Sequence, residues 1–369
     1  MIGGFLGAGK TTAVARLARR LTERGHKVGL ITNDQGRDLV DTAMLRSRGF
    51  ATEEIPGGCF CCRFNSLVEA ARTLTAHNRP DVFIAEPVGS CTDLVATVTY
   101  PLRRIYGTDF TIAPLSVLVD PIRALRILGL EPGGTFSDKV RYIYLKQLEE
   151  ADLIVLGKSD LVPAARMEAL RAAMADRFPH AELLTVSVRT ESNLEPWFSR
   201  LESTEQSRRA SMQVDYDLYA EGEALLGWLN ATVRLASSTP FDTERFLGAL
   251  ARAIQEHLAA QTAEIAHLKM TLSPDDGLGE IAAINLVRND FIPELSLRLD
   301  GPVLGAQLIL NLRAEASPET LAASVRKALA HAAGGFDTLT ADLDHLEQFR
   351  PGRPTPTHRD PVAGVSAPA

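Results

Sequence analysis

A glycine-rich segment near the start of the chain has the residue types and the spacing that bind nucleotide phosphates. Residues 4–11 read GFLGAGKT and fit the pattern GxxxxGK(S/T). In such a loop the glycines let backbone N–H groups turn towards phosphate oxygens, the lysine carries its cation to the β- and γ-phosphates, and the hydroxyl binds Mg²⁺. The residues predicted to contact nucleotide here are Gly4, Gly7, Ala8, Gly9, Lys10, Thr11 and Thr12, and Thr11 is also predicted to bind Mg²⁺.

Glu86 and Gly89 follow the predicted strand Asp81–Ala85 and fit the part of the site that faces the γ-phosphate. An acidic residue at a strand end can hold the Mg²⁺ shell or orient a water, and a following glycine can offer its N–H to the γ-phosphate. The alternative interpretation is an ordinary solvated glutamate. Beside the glycine-rich loop, Glu86 is predicted to bind Mg²⁺ and to serve in catalysis together with Lys10.

Asp34 lies in the loop after the predicted strand Lys27–Asn33, where a loop that senses the nucleotide is expected. Such loops order around the γ-phosphate and its metal ion, so an acidic side chain there can reach the metal. Asp34 is therefore a third candidate catalytic residue, and an acidic surface loop is the alternative interpretation.

The segment Gly157-Lys158-Ser159-Asp160 follows the predicted strand Leu153–Leu156, at the place where guanine-specific NTPases carry NKxD. The aspartate accepts hydrogen bonds from guanine N1–H and N2–H, donors that adenine lacks, and the lysine stem covers the base. Lys158 and Asp160 therefore predict GTP as the nucleotide. Gly157 replaces the asparagine that usually braces this loop or contacts guanine N7. A helix N-cap at Ser159 or Asp160 is compatible with this role.

Three of the four cysteines fall within four residues, in the segment Gly57–Cys62 that reads GGCFCC. Thiolates are soft ligands that favour Zn²⁺, Co²⁺ or Cu(I) over Mg²⁺. Closed structural zinc sites have four protein ligands, so three local thiols leave a position open for exchange, which suits metal transfer. The candidate ligands are Cys59, Cys61 and Cys62, with Cys91 as a possible fourth. The alternatives are a redox pair or inert buried cysteines.

These segments are spaced along a pattern in which short apolar strands alternate with helices. The predicted strands are Lys27–Asn33, Asp81–Ala85, Leu115–Val119, Leu153–Leu156 and Leu183–Ser187. The predicted helices are Thr11–Arg24, ended by Gly25, and Leu67–His77, Lys139–Glu150 and Ala164–Phe178. This pattern indicates an α/β fold, a P-loop NTPase domain with a mostly parallel sheet flanked by helices. Only Met1–Gly3 precede the glycine-rich loop, so we expect the first strand of the sheet to be nearly missing. Two explanations are open: the native start codon lies further upstream, or the strand is genuinely short.

The pattern changes after a polar stretch, which predicts a second domain. We predict a P-loop domain over residues 1–200, a linker over 201–215, a smaller C-terminal α+β domain over 216–349 and a disordered, proline-rich tail over 350–369. The strands predicted for the second domain are Trp228–Leu235, Ile265–Leu272, Ile281–Val287, Glu294–Leu299 and Ala306–Leu312. Its predicted helices are Thr243–Gln261 and Pro318–His331.

Composition excludes several classes of protein. With 45% hydrophobic residues among 369, the chain can bury a large core and is not disordered throughout. Its 39 basic and 46 acidic residues give a net charge of −7, which argues against general nucleic-acid binding. No run of ~18 apolar residues predicts a membrane span. Since no basic region opens the apolar N-terminus, a secretory signal is not expected and a cytoplasmic location is.

The glycine-rich loop, GGCFCC, the segment Glu86–Gly89 and GKSD occur in this order, and up to about Arg200 the chain resembles the CobW-like family of P-loop GTPase metallochaperones. Gln147, followed by Ala151-Asp152, also fits the family pattern. The departures are Gly157 for asparagine, Pro87-Val88 inside ExxG, and the short first strand. The resemblance implies that the cysteines form a CxCC metal motif, that residues 4–12 form the nucleotide loop, that Glu86 and Gly89 form the Walker B segment, and that Asp160 reads the base.

The resemblance implies a GTPase that delivers a metal to a client protein or a cofactor-assembly pathway. The thiolate chemistry of the cysteines, and not the resemblance, indicates divalent Zn or Co as that metal. The second domain is expected to contact the client or a second copy of the chain in a nucleotide-dependent homodimer, and neither nucleic acid nor membrane is an expected partner. Two alternatives stay open at this point. One is a GTP-dependent metal or redox sensor without transfer activity, and the other is an ATP-dependent P-loop kinase.

Overall fold

The computed structural model describes residues 1–33, 40–277 and 279–360 of the chain. Its strands, in chain order, are β1 (Ile2–Gly3), β2 (Val28–Asn33), β3 (Thr52–Ile55), β4 (Val82–Glu86), β5 (Ser116–Val119), β6 (Leu153–Leu156), β7 (Glu182–Thr185), β8 (Leu226–Phe241), β9 (Glu264–Pro274), β10 (Ala282–Leu286), β11 (Glu294–Leu297), β12 (Val303–Glu315) and β13 (Thr340–Phe349). Its α-helices are α1 (Lys10–Glu23), α2 (Val40–Ser47), α3 (Phe64–Asn78), α4 (Tyr100–Tyr106), α5 (Pro121–Ile127), α6 (Asp138–Glu150), α7 (Ala164–Arg177), α8 (Leu194–Ser203), α9 (Tyr216–Leu225), α10 (Thr243–Ala259) and α11 (Pro318–Ala333). None of the helices within these ranges is long and apolar enough to cross a membrane.

The described residues divide into two compact units. The first consists of residues 1–33, 50–222 and 353–360, and the second of residues 40–49, 223–277 and 279–352. Each unit has its own sheets and helices, so each is described separately.

The strands of the first unit run parallel, and the predicted nucleotide segments follow their carboxyl ends. In the described part of the chain, one sheet has the order β1-β5-β6-β7 and another the order β3-β2-β4. β1 also lies near β4. Every residue of β5 and β6 is buried, because helices cover both faces of a parallel sheet. The predicted α/β fold is confirmed.

Two local predictions near the N-terminus have direct counterparts in the structure. Gly25, predicted to end the first helix, has φ +89°, and its N–H donates to the Thr22 carbonyl oxygen at 2.9 Å. β1 contains only two residues, and Ile2 and Gly3 pair in parallel with Ser116 and Val117 of β5. This short strand leads directly into the glycine-rich loop.

The second unit is an antiparallel sheet with two long helices packed on one face. Its strand order is β11-β10-β9-β12-β8-β13. α10 and α11 contribute Phe246, Leu250 and Val325 to a core that also contains Val233 and Leu310 of the sheet. α2 belongs to this unit as well, and it packs Val40 and Met44 against Ala283 of β10. The predicted α+β architecture is confirmed.

Several helices and strands are not predicted from the sequence, because their apolar residues do not recur at a clear helical or strand spacing. β3 reads TEEI, and β13 is an edge strand that alternates exposed and half-buried residues. Helix α2 is eight residues long, and α4 and α5 are seven residues each, too short for a periodic pattern to stand out.

The predicted linker over 201–215 is wrong, because α8 extends to Ser203 and the residues after it pack on the first unit. Gln206 is buried, and its N–H donates to the Ile112 carbonyl oxygen at 2.7 Å. Arg209 donates through Nη2 to the Glu150 carbonyl oxygen at 2.6 Å. The segment thus docks through polar hydrogen bonds, including those of Gln206 Nε2 and the Ser207 hydroxyl to the Asp152 carboxylate, and it shows no apolar period. The first unit continues to residue 222 instead of ending at 200.

The predicted disordered tail over 350–369 is also wrong for residues 350–360, and residues 361–369 lie outside the described part of the chain. Residues 353–360 pack on the first unit, and the N–H of Asp360 donates to the Ala96 carbonyl oxygen at 2.8 Å. Proline-rich sequence alone does not distinguish a disordered chain from an extended one that is docked through its remaining donors.

Candidate nucleotide site and cysteine cluster

The glycine-rich loop connects β1 to α1 in a conformation that its glycines require. Gly4 has φ +129°, and a Cβ added there would lie 2.2 Å from the Leu118 carbonyl oxygen of β5. Gly7 and Gly9 also have positive φ, at +77° and +99°, and Gly9 is the N-cap of α1. Such positions favour glycine because other residues rarely adopt them. Ala8 is buried and donates its N–H to the Phe5 carbonyl oxygen at 3.1 Å, which closes the turn.

The three residues after the loop begin α1 at its positive N-terminal end. Lys10 is buried, and its Nζ donates to the Phe5 carbonyl oxygen at 3.5 Å. Thr11 is also buried, and its hydroxyl donates to Glu86 Oε1 at 3.0 Å, so the strand end of β4 contacts the loop. Thr12 is half-buried in the first turn of the helix. A hydroxyl and a carboxylate in contact are the hard oxygen ligands that Mg²⁺ prefers, so Thr11 and Glu86 fit a magnesium site.

The loop after β4 contacts the glycine-rich loop and approaches the cysteines. A Cβ on Gly89 would lie 2.9 Å from the Leu6 backbone nitrogen, so only glycine permits this approach of the two loops. Gln147 of α6 is buried, and its Nε2 donates to the carbonyl oxygens of Gly89 at 2.9 Å and of Cys91 at 2.8 Å. One side chain therefore fixes the glycine predicted for the γ-phosphate and the cysteine predicted as a fourth metal ligand.

The GKSD segment lies beside the glycine-rich loop. Lys158 Nζ donates to the Gly7 carbonyl oxygen at 2.9 Å and to Asp120 Oδ2 at 2.7 Å. Asp160 is exposed, and its Oδ1 accepts a hydrogen bond of 2.6 Å from the Ser187 hydroxyl. The lysine thus joins the two loops, and the serine orients the carboxylate that is predicted to read guanine.

The glycine that replaces asparagine in this segment has a packing reason. A Cβ on Gly157 would lie 3.3 Å from Leu118 Cδ1 and 3.4 Å from the Val119 carbonyl oxygen. Both distances are short for contacts of a Cβ atom, so a larger residue at position 157 would require Leu118 and Val119 of β5 to shift. Lys158, the next residue, has φ +49°, a backbone conformation that is uncommon for residues other than glycine.

The three cysteines of CxCC lie together in a turn between β3 and α3. Their sulfurs are separated by 2.7 Å (Cys59–Cys61), 3.3 Å (Cys59–Cys62) and 3.7 Å (Cys61–Cys62). The turn is closed by the N–H groups of Cys62 and Arg63, which donate to the Cys59 carbonyl oxygen at 3.1 and 2.9 Å. Among the described residues, this is the group of cysteine, histidine and acidic side chains placed closely enough to hold a metal ion. Thiolates on one tetrahedral Zn²⁺ lie ~3.8 Å apart, so small side-chain adjustments would bring these three to metal geometry.

Hydrogen bonds among the thiols shift their pKa values in opposite directions. The pKa of Cys59 lies well below its ordinary value because the thiols of Cys61, Cys62 and Cys91 donate to its sulfur. Hydrogen bonding to Cys59, together with burial, holds the pKa of Cys61 well above its ordinary value and raises that of Cys62 to about 11. Hydrogen bonding within the cluster thus favours the thiolate form at Cys59 and the thiol form at Cys61 and Cys62. Metal binding would release the thiol protons. Cys91 is buried beside this group.

The end of β2 connects the cysteine turn to the nucleotide site. Asn33 is buried, and its Nδ2 donates to the carbonyl oxygens of Ile55 at 2.9 Å and of Gly58 at 2.6 Å. Its neighbour Thr32 is the register partner of Glu86 on β4. The cysteine turn is therefore positioned by the strand next to the one that carries Glu86. The candidate Asp34 lies outside the described residues.

Sequence reasoning missed three supporting residues, Asn33, Asp120 and Ser187. Asp120 follows β5, accepts the Lys158 ammonium, and caps α5 through a 2.9 Å bond from the Arg123 N–H. An Asp-Pro step after an apolar strand is a helix-start signal that identifies this residue. Asn33 and Ser187 give no local signal, because their partners are distant in sequence.

A glycine-rich loop between a buried strand and a helix, at the carboxyl edge of a parallel sheet, defines a P-loop nucleotide-binding domain. Residues 1–185 match the family described as CobW/HypB/UreG, nucleotide-binding domain. The chain belongs to this family.

Two curated relatives each match about half of the chain. Over 198 residues it is 31% identical to the zinc chaperone CobW of Sinorhizobium sp, covering 48% of this chain and 55% of that protein. Over 174 residues it is 30% identical to the zinc chaperone YeiR of Escherichia coli K12, covering 46% of this chain and 49% of that protein. The chain thus spans about half the length of the curated relatives it matches.

A solved structure, the Zn(II)-bound YjiA GTPase from E. coli, aligns with 89% of this chain and 97% of its own at 15% identity and a TM-score of 0.38.

Proposed function

We propose that the protein is a GTP-hydrolysing metallochaperone. It would bind divalent Zn or Co through Cys59, Cys61 and Cys62 and deliver the metal to a client metalloprotein or a cofactor-assembly pathway. The relatives named zinc chaperones support this proposal over the half of the chain that they match.

The proposal rests on the position of the loop after β4, because this loop contacts both the glycine-rich loop and the cysteine cluster. Glu86 at its start accepts from Thr11, and Gly89 lies against Leu6 of the glycine-rich loop. Two residues further on, the Cys91 thiol hydrogen-bonds with Cys59. A shift of this loop on loss of the γ-phosphate would therefore also move a candidate metal ligand, which would couple hydrolysis to metal release.

In this proposal the first unit holds GTP through the residues that begin α1. The backbone N–H groups of the glycine-rich loop and the helix N-terminus would bind the phosphates, and the Lys10 ammonium would stabilise the charge that develops on the β- and γ-oxygens. Thr11 and Glu86 would hold Mg²⁺, which neutralises charge on the phosphate oxygens when it is bound. Gly89 would donate its N–H to the γ-phosphate, and Asp34 is a further candidate for catalysis.

Guanine would be read by Asp160. Its carboxylate is exposed, is oriented by Ser187, and would accept the guanine N1–H and N2–H donors. The Lys158 stem crosses from the base loop to the Gly7 carbonyl oxygen and would cover one face of the base. This arrangement favours a GTPase over an ATP-dependent kinase.

The cargo would be bound by three converging thiols, with Cys91 as a fourth ligand that can leave. Soft sulfur ligands select Zn²⁺ or Co²⁺. The proposal places the chain in the cytoplasm, where thiols stay reduced. It also includes a nucleotide-dependent homodimer, which light scattering with and without GTP would detect.

The test follows Zn²⁺ from the purified, loaded protein into a chromogenic chelator in the presence of GTP, a non-hydrolysable GTP analogue or ATP. We expect release to accelerate only when GTP is hydrolysed. Lys10→Ala is the matched control, since with GTP it should behave like wild type with the analogue. Equal release in every nucleotide state would contradict the transfer function. A nucleotide-dependent conformational change without altered release would favour the sensor instead.

A further inference from the structure

Residues 353–360, here called the C-terminal clasp, run across the cysteine turn. The N–H of Thr355 donates to Cys62 Sγ at 3.2 Å, and the N–H of Thr357 donates to the Cys61 carbonyl oxygen at 2.9 Å. The Thr357 hydroxyl donates to the Cys62 carbonyl oxygen at 3.2 Å. The ring of His358 meets Phe64, the first residue of α3, edge-on at 4.8 Å between centroids.

The clasp is also attached to the loop after β4. Arg359 Nε donates to Asp93 Oδ2 at 2.7 Å, and that carboxylate also accepts from the Tyr216 hydroxyl at 2.7 Å. Asp93 is 1% exposed and lies two residues after Cys91. The clasp therefore joins the cysteine turn to the loop that carries Gly89 and Cys91.

The sequence of the clasp explains how it binds. It reads RPTPTHRD, and Pro354 and Pro356 have no N–H and favour an extended polyproline conformation. Within residues 354–357 the backbone donors are thus those of Thr355 and Thr357, and both are bonded to the cysteine turn. The segment is preorganised, so docking it costs less conformational entropy than docking a flexible chain.

We propose that the C-terminal clasp is an outer part of the metal site that retains the bound metal, and that the metal leaves only when the clasp detaches. This rests on the proposed metal binding at CxCC. A donor to a ligand sulfur stabilises its thiolate form and orients it, as outer hydrogen bonds do in metal sites. Cys59 and Cys61 are buried, whereas Cys62 is half-buried and lies under Thr355. An incoming ligand from a client would reach the metal on this side, so the clasp must move for transfer.

The test removes one donor and leaves the rest of the chain intact. Thr355→Pro deletes the N–H that reaches Cys62, and proline suits this position because a residue before Pro356 already favours the extended region. Thr355→Ala keeps the N–H and removes the hydroxyl. Because a hydrogen bond to a charged group is lost, we expect Zn²⁺ to pass to excess chelator about tenfold faster from Thr355→Pro than from Thr355→Ala.

A second measurement reports the position of the clasp directly. Arg350 and Arg353 are each followed by proline, so within residues 350–360 trypsin can cut only after Arg359. Arg359 is held on Asp93, and cleavage needs the clasp to detach. We expect Zn²⁺ to slow this cleavage in wild type, followed by mass spectrometry, and to slow it much less in Thr355→Pro.

The outcomes separate this inference from the proposed function. If wild type binds no Zn²⁺ through its thiols, the proposed metal site itself fails. If wild type binds Zn²⁺ but both Thr355 variants release it equally fast, the clasp has no part in retention. If Zn²⁺ does not affect the rate of cleavage after Arg359, the proposed role of the clasp in metal retention is contradicted as well.

Discussion

Glu150, the last residue of α6, is a buried carboxyl whose titration should control the stability of the first unit. It is 3% exposed, and it accepts the Val95 N–H at 3.0 Å and the Thr92 hydroxyl at 3.3 Å. Burial, reinforced by the nearby Asp93 carboxylate, raises its pKa from 4.5 to about 8, and the hydrogen bonds only partly oppose that rise. Near neutral pH the folded chain therefore keeps a proton here that the unfolded chain has lost.

The sign and the size of the effect follow from this difference. Between pH 4.5 and pH 8 the folded state binds more protons at this site, so the free energy of unfolding falls as pH rises and levels off above pH 8. Each pH unit well inside that interval is worth about 1.4 kcal/mol, and the complete titration is worth about 5 kcal/mol. Glu150→Gln has the same shape and cannot ionise, so its stability should lack this contribution. At about pH 5 the unfolded carboxyl is already largely ionised, and at about pH 8 the folded one is only half ionised. Relative to wild type, the variant should therefore gain about 3.5 kcal/mol between these two pH values.

The assay is urea unfolding followed by tryptophan fluorescence from about pH 5 to about pH 8. The chain has two tryptophans, Trp197 in the first unit and Trp228 in the second, so a Trp228→Phe background makes Trp197 the reporter for the relevant unit. Glu149→Gln is the matched control for loss of one negative charge, since Glu149 is 42% exposed and pairs with Lys146. If Glu150→Gln keeps the wild-type pH slope, Glu150 is ionised in the folded chain and the argument from burial is wrong.

Three further predictions concern the proposed sites. Lys10→Ala should abolish GTP hydrolysis, measured as phosphate release, because the cation facing the β- and γ-phosphates is lost; hydrolysis at the wild-type rate would contradict this. Asp160→Ala should weaken GTP binding by roughly 2–4 kcal/mol and ATP binding far less, measured by calorimetry, because two guanine donors lose their acceptor; equal ATP and GTP binding by wild type would count against this base assignment. Changing Cys59, Cys61 and Cys62 together to Ser should leave the chain folded and able to bind GTP. The variant should no longer bind Co²⁺ through thiolates, measured as loss of the sulfur-to-metal charge-transfer absorption. An unfolded variant would indicate a structural zinc site instead.

Much of the first unit could be predicted from sequence because its signals are local. β5 and β6 are short runs of apolar residues that a doubly covered strand requires, and each was predicted within one residue of its bounds. The glycine-rich loop was also identifiable, since Gly4 and Gly9 adopt backbone conformations that few other residues tolerate. These features depend on residues that are close in sequence.

Elements whose stability comes from distant partners could not be predicted in the same way. β3 is polar and exists because β2 supplies its hydrogen-bonding edge. The proline-rich C-terminus looks disordered by composition, yet Thr355 and Thr357 dock on a turn almost three hundred residues earlier. Composition reports what a segment can bury by itself, whereas docking depends on donors and acceptors that another segment presents.

The same division applies to the candidate sites. The sequence determined which residue types were available, with Lys10 and Thr11 behind the glycines and three thiols within four residues. Only the tertiary structure decided that the loop after β4 contacts both groups, with Gln147 holding Gly89 and Cys91 at once. Spacing along the sequence is enough to place ligands that share one turn. Contact between separate loops depends instead on the order and register of the parallel strands, because these bring distant strand ends to one edge of the sheet.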